Sequence, residues 1–530
     1  MSSGGNAGDA ATAPAGSGGA APQDKGGAHQ VVGPLRTNHG ASPERGLDRV
    51  PRSILNRGRY GRMFRNLPPF VADDQSLKAL ADAMFPYPPA PPVIDASPAA
   101  EPSAAPPLAA PPAATQALTG GPSPDANQPG ENPDIPAGYT YLGQFIDHDI
   151  TFDPTSMLGR QNDPDGLVDF RTPRFDLDSL YGSGVVDSPF LYDQDDPVKL
   201  LVGTNSDPQH EPQDLPRNQQ GRALLADPRN DFHVIISQLT LAFIRFHNAV
   251  VDHLRDQFFP DTELFAEAQR LVRWHYQWIV IEDYLRSLVG SELVDQILVP
   301  DAATGGRAAK LRFFRWQRNP FMPVEFSAAA FRFGHSQVRA TYQLNADLDP
   351  IHIMLPTLYP NPLEHLGGFR PLPRHWKIEW DMFFSVGGSQ PQLSRRIDSK
   401  IVGPLGVLTP TLDQKRHSIA LLDLLRGKAL GLPSGQAVAC AMGTAAPDTQ
   451  LGLSGPAPLW YYLLKEAEVL ADGRRLGPTG GRIVAEVLVG LLAADPSSFL
   501  RAAPNWKPEL PGAEPGHFTV EDLLHFAGAV

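Results

Sequence analysis

Hydrophobic positions recur at helical spacing along several long stretches of the chain. In HVIISQLTLAFIRFHNAVVDHLRDQF (233–258), Val234, Leu241, Ile244, Val251 and Leu254 fall near one face, and further apolar residues widen the stripe. ELFAEAQRLVRWHYQWIVIEDYLRSLVG (263–290) predicts a second long helix, closed by Gly290. AGYTYLGQFIDHDITFD (137–153) predicts a short one, and further helical patterns cover 416–430 and 480–493. Alternating strand patterns are scarce, and no internal repeat is evident. The expected fold is mostly α, a single large helical domain with little β.

The pattern breaks down in two places. Residues 1–40 are Gly, Ala and Ser with almost no apolar mass, which predicts a disordered tail. Between Pro86 and Pro136 there are 16 prolines in 51 residues, a composition that favours extended, solvated chain. Between them, 41–85 holds RYGRMFRNLPPF and SLKALADAMF, as an arm docking on a larger body would. Composition alone leaves 86–136 as a linker or a surface insertion. Its place between the arm and the globular remainder favours a Pro/Ala-rich insertion within one domain spanning 41–530.

Composition narrows the function. The 530 residues include 55 Pro and 48 Gly, about 19% together against an average near 12%. A 42% hydrophobic content still allows a substantial core. One cysteine excludes a disulfide framework and any multi-cysteine metal site. A net charge of −13 argues against nucleic acid as a partner. No run of 18 apolar residues occurs, so no membrane span is expected. The N-terminus shows neither a basic region nor an apolar one, so no signal peptide is read, and the expected location is cytoplasmic or leaderless secreted.

Four segments carry candidate chemistry. GQFIDHD (143–149) sets two carboxylates around an imidazole, although such a run alone is more often a cap or surface cluster. RTPRFDLDSLYG (171–182) offers Asp176, Asp178 and a Thr hydroxyl to a hard cation such as calcium; a polar turn is the plainer reading. ADPRNDFHVIISQLTLAFIRFHN places Arg229 just before an apolar helix, where an arginine usually makes a surface ion pair. PVEFSAAAFRFGHSQVRATYQLN seats His335 on an apolar helix of small and aromatic residues, a packing histidine or an axial haem ligand. Motifs of the HExxH, P-loop and GxSxG kinds are absent.

Together and in this order, the four segments resemble the animal-type haem peroxidases of the peroxidase–cyclooxygenase superfamily, and most closely its bacterial members. The resemblance runs from about residue 41 to the C-terminus. It implies haem b and calcium as cofactors. It places His148 as the distal histidine, Gln144 as the distal glutamine and Asp147 as a carboxylate that can esterify a haem methyl. Asp149, Thr172, Arg174 through its carbonyl, Asp176 and Asp178 match the calcium ligands. Arg229 matches the distal arginine and His335 the proximal iron ligand. The activity implied is reduction of hydrogen peroxide through a ferryl intermediate, with a small electron donor (halide, thiocyanate or phenol) as the other partner. The oligomeric state is left open.

Three departures from the family pattern stand out. The second haem-linking position, a Glu in mammalian members, is Phe232, so at most one ester link is expected. The Asn that faces the proximal histidine in relatives is Asp423 here, which implies imidazolate character and a lower iron potential. Fatty-acid oxygenases of the superfamily carry a Tyr three residues before the proximal histidine, where this chain has Arg332. The alternatives to a peroxidase are a fatty-acid dioxygenase, which Arg332 disfavours, and a catalytically idle haem or calcium scaffold, which the intact set of His148, Arg229 and His335 disfavours.

Overall fold

The helices expected from periodicity form the centre of the molecule. Helix Gly138–Ile150 lies against Val234–Asp256, which pairs in turn with Asp261–Trp278. At their junction the Phe145 ring stacks on Phe243 at 4.2 Å, and Tyr276 meets both rings edge-on. A fully buried ring of this size is worth about 3–5 kcal/mol against alanine. The computed structural model describes residues 58–86, 130–152, 168–203, 214–316, 319–355, 361–406, 408 and 418–530, all within one compact unit, Arg36–Val530. The tail expected over 1–40 and most of the proline-rich stretch lie outside the described residues.

The fold is largely helical, with short strands in sheets of two or three. Strand Gly58–Gly61 lies between Val168–Asp169, antiparallel, and Met322–Pro323, parallel. This brings the N-terminal arm beside the segment that leads to His335. Buried Glu325 fastens it there, accepting from the backbone N–H groups of Met63 at 2.9 Å and Phe64 at 3.0 Å. Helix Asp74–Ala83, capped by the Asp73 side chain, packs on Ile419–Ala429. The arm therefore docks on the elements that carry His335 and Asp423.

Three expectations need correction. The end of the proline-rich stretch is not solvated chain: Glu131–Pro136 is a strand, paired antiparallel with Leu393–Arg395, and its prolines are tolerated because the pairing is irregular. The helix expected over 263–290 is continuous only to Trp278. Ile279–Leu285 widens into π geometry before Arg286–Val289, and Gly290 ends the run at φ 82°. The wide turn serves packing, since Tyr284 reaches helix Gly138–Ile150 at Gly143, where a Cβ would stand 2.2 Å from its Oη. His335 sits not on a long helix but on two successive single turns, Ala330–Phe333 and Gly334–Gln337. The expectation of no membrane span is not among them: Val234–Asp256 is long and apolar enough by composition to cross a membrane, but 83% of its most apolar window is buried within the protein. Its all-round hydrophobicity is that of a central core helix.

Candidate active site

Helix Gly138–Ile150 is buried on nearly every side; only Gln144 and Asp147 of its thirteen residues are half-buried. His148 is wholly buried, and its Nδ1 lies 2.7 Å from Asn230 Oδ1. An amide oxygen only accepts, so Nδ1 carries the proton and Nε2 presents a bare lone pair. That Nε2 is buried with no partner. Burial first, and then the charge of Arg229, push the imidazole down to about 4, so it is neutral at ordinary pH.

Asn230 belongs to the tight turn Pro228–Asp231, which Asp227 caps by accepting from Arg229 N–H at 2.8 Å. The fully buried Asp227 carboxylate also takes Arg171 Nη2 at 2.6 Å and Arg229 Nη2 at 2.7 Å. Burial alone would raise its pKa, but the two guanidiniums hold the carboxyl far below the usual range. Arg229 stacks over the Phe152 ring and donates to the carbonyls of His148 at 2.9 Å and Thr151 at 2.6 Å. Its Nη1 is the end left uncommitted among the described residues. The arginine expected beside the distal histidine is thus close to it, tethered rather than swinging.

Gln144 lies one turn before His148 on the same helix face. Its Oε1 is 2.8 Å from Nε2 of a second buried imidazole, His233. Asp147, the candidate for an ester link, has Oδ1 engaged by Thr151 Oγ1 at 3.0 Å. Phe232, at the second linking position, packs against His233 and Phe369.

Directly after His148, the buried Asp149 meets Asp176 and Asp178, with one carboxylate oxygen from each lying within 4.8 Å of the others. Leu177 between them adopts φ 56°, ψ 37°, a left-handed conformation costly for a branched side chain. Its N–H reaches Asp149 Oδ2 at 3.3 Å, and Ser179 Oγ donates to Oδ1 at 3.1 Å. Thr172 Oγ1 donates to Asp176 at 2.7 Å. The Arg174 side chain is exposed, so only its backbone can face the cluster. Burial, then mutual repulsion, push Asp149 and Asp178 upward, Asp178 to about 7. Three acids crowded in this way call for a counter-charge beyond Arg171, which pairs with Asp178 at 3.2 Å. A divalent cation of the calcium type fits such a donor set.

On the other side, the turn bearing His335 packs against helix Gly138–Ile150. His335 Nδ1 lies 2.5 Å from Asp423 Oδ2, and Arg332 Nη1 donates to Asp423 Oδ1 at 2.9 Å. Burial pushes the Asp423 carboxyl up, but His335 and Arg332 hold it below the usual range. With Nδ1 on the carboxylate, Nε2 is on the opposite edge of the ring, the nitrogen that would meet an iron. A carboxylate-backed imidazole such as His335 would suit the iron of a haem, and the unpartnered Nε2 of His148 would suit a group bound to it.

The animal haem peroxidase family model matches residues 158–438, and the chain belongs to that family. The matched stretch starts ten residues after His148, so helix Gly138–Ile150 lies outside it. The chorion peroxidase of Aedes aegypti is 25% identical over 293 residues, 53% of this chain and 35% of that protein. Human thyroid peroxidase is 26% identical over 231 residues, 41% of this chain and 22% of that one. The chain thus spans well under half the length of these curated relatives. A solved structure of the fatty acid alpha-dioxygenase of Oryza sativa with palmitic acid superposes with a TM-score of 0.50 at 16% identity, covering 70% of this chain and 71% of that one, a likeness of fold.

Sequence reading missed Asp227, Asn230, Arg171 and His233. The first two flank Arg229 in DPRN, where an Asp two residues before an Arg and an Asn just after it signal a capped turn. The others gave no local signal.

Replacing Asp227 with Asn should destabilise the protein by about 3–5 kcal/mol, because the buried Arg171 and the half-buried Arg229 lose their shared, fully buried counter-ion. The same change at Asp82, exposed and paired with Lys78, should cost under about 1 kcal/mol. Denaturant unfolding of both variants measures the difference; equal losses would refute the role given to Asp227.

Proposed function

We propose that the protein is a haem-dependent peroxidase that reduces hydrogen peroxide and oxidises a small donor: two phenols would give two phenoxyl radicals and two waters, whereas a halide or thiocyanate would take up one peroxide oxygen as its hypo-acid and leave one water. The observation carrying this reading is the buried, neutral, unpartnered Nε2 of His148. A peroxide must lose a proton to bind a metal and regain one on its departing oxygen, and a neutral imidazole of fixed tautomer can do both. Asn230 holds the His148 ring so that Nε2 takes the proton from the near oxygen and delivers it to the far one. Arg229, through Nη1, faces the charge that builds as the O–O bond breaks. His335 would hold the iron of a bound haem, and Asp147 offers one carboxylate for an ester link. A haem held there would supply the redox chemistry between peroxide and donor.

Asp423 makes the proximal imidazole a stronger donor than an amide partner would and lowers the iron potential. The arginine at Arg332 is tied to that carboxylate, and a guanidinium cannot host the radical that a tyrosine there would. This weighs against a fatty-acid dioxygenase. Asp149, Asp176, Asp178, the Thr172 hydroxyl and the Arg174 carbonyl would hold calcium, and Asp149 couples that site to His148 through one peptide bond.

An absorption spectrum before and after peroxide, followed by a donor panel, tests the reading. A haem-loaded protein that turns over is expected, and no Soret band even after haem addition would favour the idle scaffold. His148→Ala should slow the peroxide step by roughly 10²–10⁴-fold with haem retained, whereas His335→Ala should lose the haem; equal mild effects would contradict the roles. Asp423→Asn should raise the reduction potential, and an unchanged potential would remove that role. Chelation should lower turnover at temperatures where circular dichroism still reports a folded protein; full activity after chelation would count against the cation's link to His148.

A further inference from the structure

A second histidine stands beside the distal group, and none of the proposed chemistry uses it. His233 is buried, its ring edge-on to Tyr141 at 5.0 Å, and it opens helix Val234–Asp256. Its Nδ1 accepts the backbone N–H of Ile236 at 3.2 Å, which makes it the helix cap. A nitrogen that accepts carries no proton, so the proton of the neutral ring is on Nε2. That Nε2–H faces Gln144 Oε1 at 2.8 Å, so the amide oxygen of Gln144 is taken. What remains of Gln144 is its NH2 group, which has no partner among the described residues. It stands on the face shared with His148, whose Nε2 is itself unpartnered.

From this chain of donors and acceptors we infer that His233 is a positioning residue for Gln144. By capping its helix it fixes its own tautomer, and by that tautomer it fixes the amide of Gln144 with the donor end towards whatever binds in front of His148. Burial, and then the neighbouring His148, push His233 down to about 3, so the ring stays neutral and keeps this arrangement at every pH where the enzyme would work. The distal side then adds to Arg229 one acceptor, His148 Nε2, and one fixed neutral donor, Gln144 NH2. Without His233 the amide could turn either way, and its oxygen would repel an anion.

The inference rests on the haem reading, and its test separates the two. Asn caps helices well but cannot reach Gln144, so His233→Asn keeps the cap and deletes the constraint. The probe is fluoride on the ferric haem-loaded protein, titrated by absorption, because iron-bound fluoride accepts hydrogen bonds from the distal side. His233→Asn should weaken fluoride binding about five- to tenfold, the loss of roughly one hydrogen bond, with the melting temperature nearly unchanged. Gln144→Leu should weaken it as much, and the double variant no further, since the two act as one unit. Unchanged fluoride affinity in His233→Asn, or additive losses in the double variant, would overturn the inference while leaving the peroxidase reading intact. A wild-type protein that takes up no haem would overturn both.

Discussion

One buried carboxylate organises the surroundings of His148. Asp227 has no contact with solvent, and three separate pieces of structure end on it. Arg171 ties it to the loop carrying Thr172, Asp176 and Asp178. Arg229 ties it to the last turn of the His148 helix, through the carbonyls of His148 and Thr151. Its own turn presents Asn230 to His148. A charge in a dry interior is tolerated only when its hydrogen bonds are filled, and here the groups that fill them are the ones whose positions matter. The cost of burying Asp227 and the order of the site have the same origin.

The proximal half repeats the device with other residues. Asp423 is as deeply buried as Asp227, and it divides its two oxygens between Arg332 and His335. In both halves a buried carboxylate binds arginine and also settles an imidazole, directly at His335 and, by capping the turn that bears Asn230, at His148. The two imidazoles differ as a result. His335 faces a full negative charge and becomes a strong donor; His148 faces a neutral amide and stays a weak, readily reversible base. The roles proposed for them, a ligand for iron and a shuttle for protons, would need those opposite tunings.

Much of this was legible along the chain, and the parts that were not share a cause. Long helices declare themselves by period, as 233–258 did, and the short motif strings carried His148, Arg229, His335, Asp423 and the acidic loop. Local pattern fails where a neighbour decides the conformation. The π turn at Ile279–Leu285 adds a residue so that Tyr284 can meet Gly143, and no spacing in 263–290 reveals that contact. Glu131–Pro136 is a strand because Leu393–Arg395 lies beside it, against its own proline content. His335 reads as helical from its small neighbours, yet its turn is held by Asp423, 88 residues away. His233 escaped notice because a histidine opening a helix looks like an ordinary cap; its other nitrogen matters only once Gln144 is seen opposite.

The acidic loop and the base are coupled by geometry tighter than any side-chain bridge. Asp149 follows His148 in the last turn of one helix, so the carboxylate cannot move without turning the backbone that carries the imidazole. Leu177 is held left-handed between Asp176 and Asp178, and its N–H closes on Asp149. A strained residue between two mutually repelling acids is unstable unless something draws them together, and a divalent cation would do so at the point where the helix end is anchored. Arg171 joins both systems, with one arm on Asp178 and the other on Asp227. His148 is therefore held from two directions, by the turn that bears Asn230 and by the loop that bears the acids, and one arginine makes those two directions a single constraint.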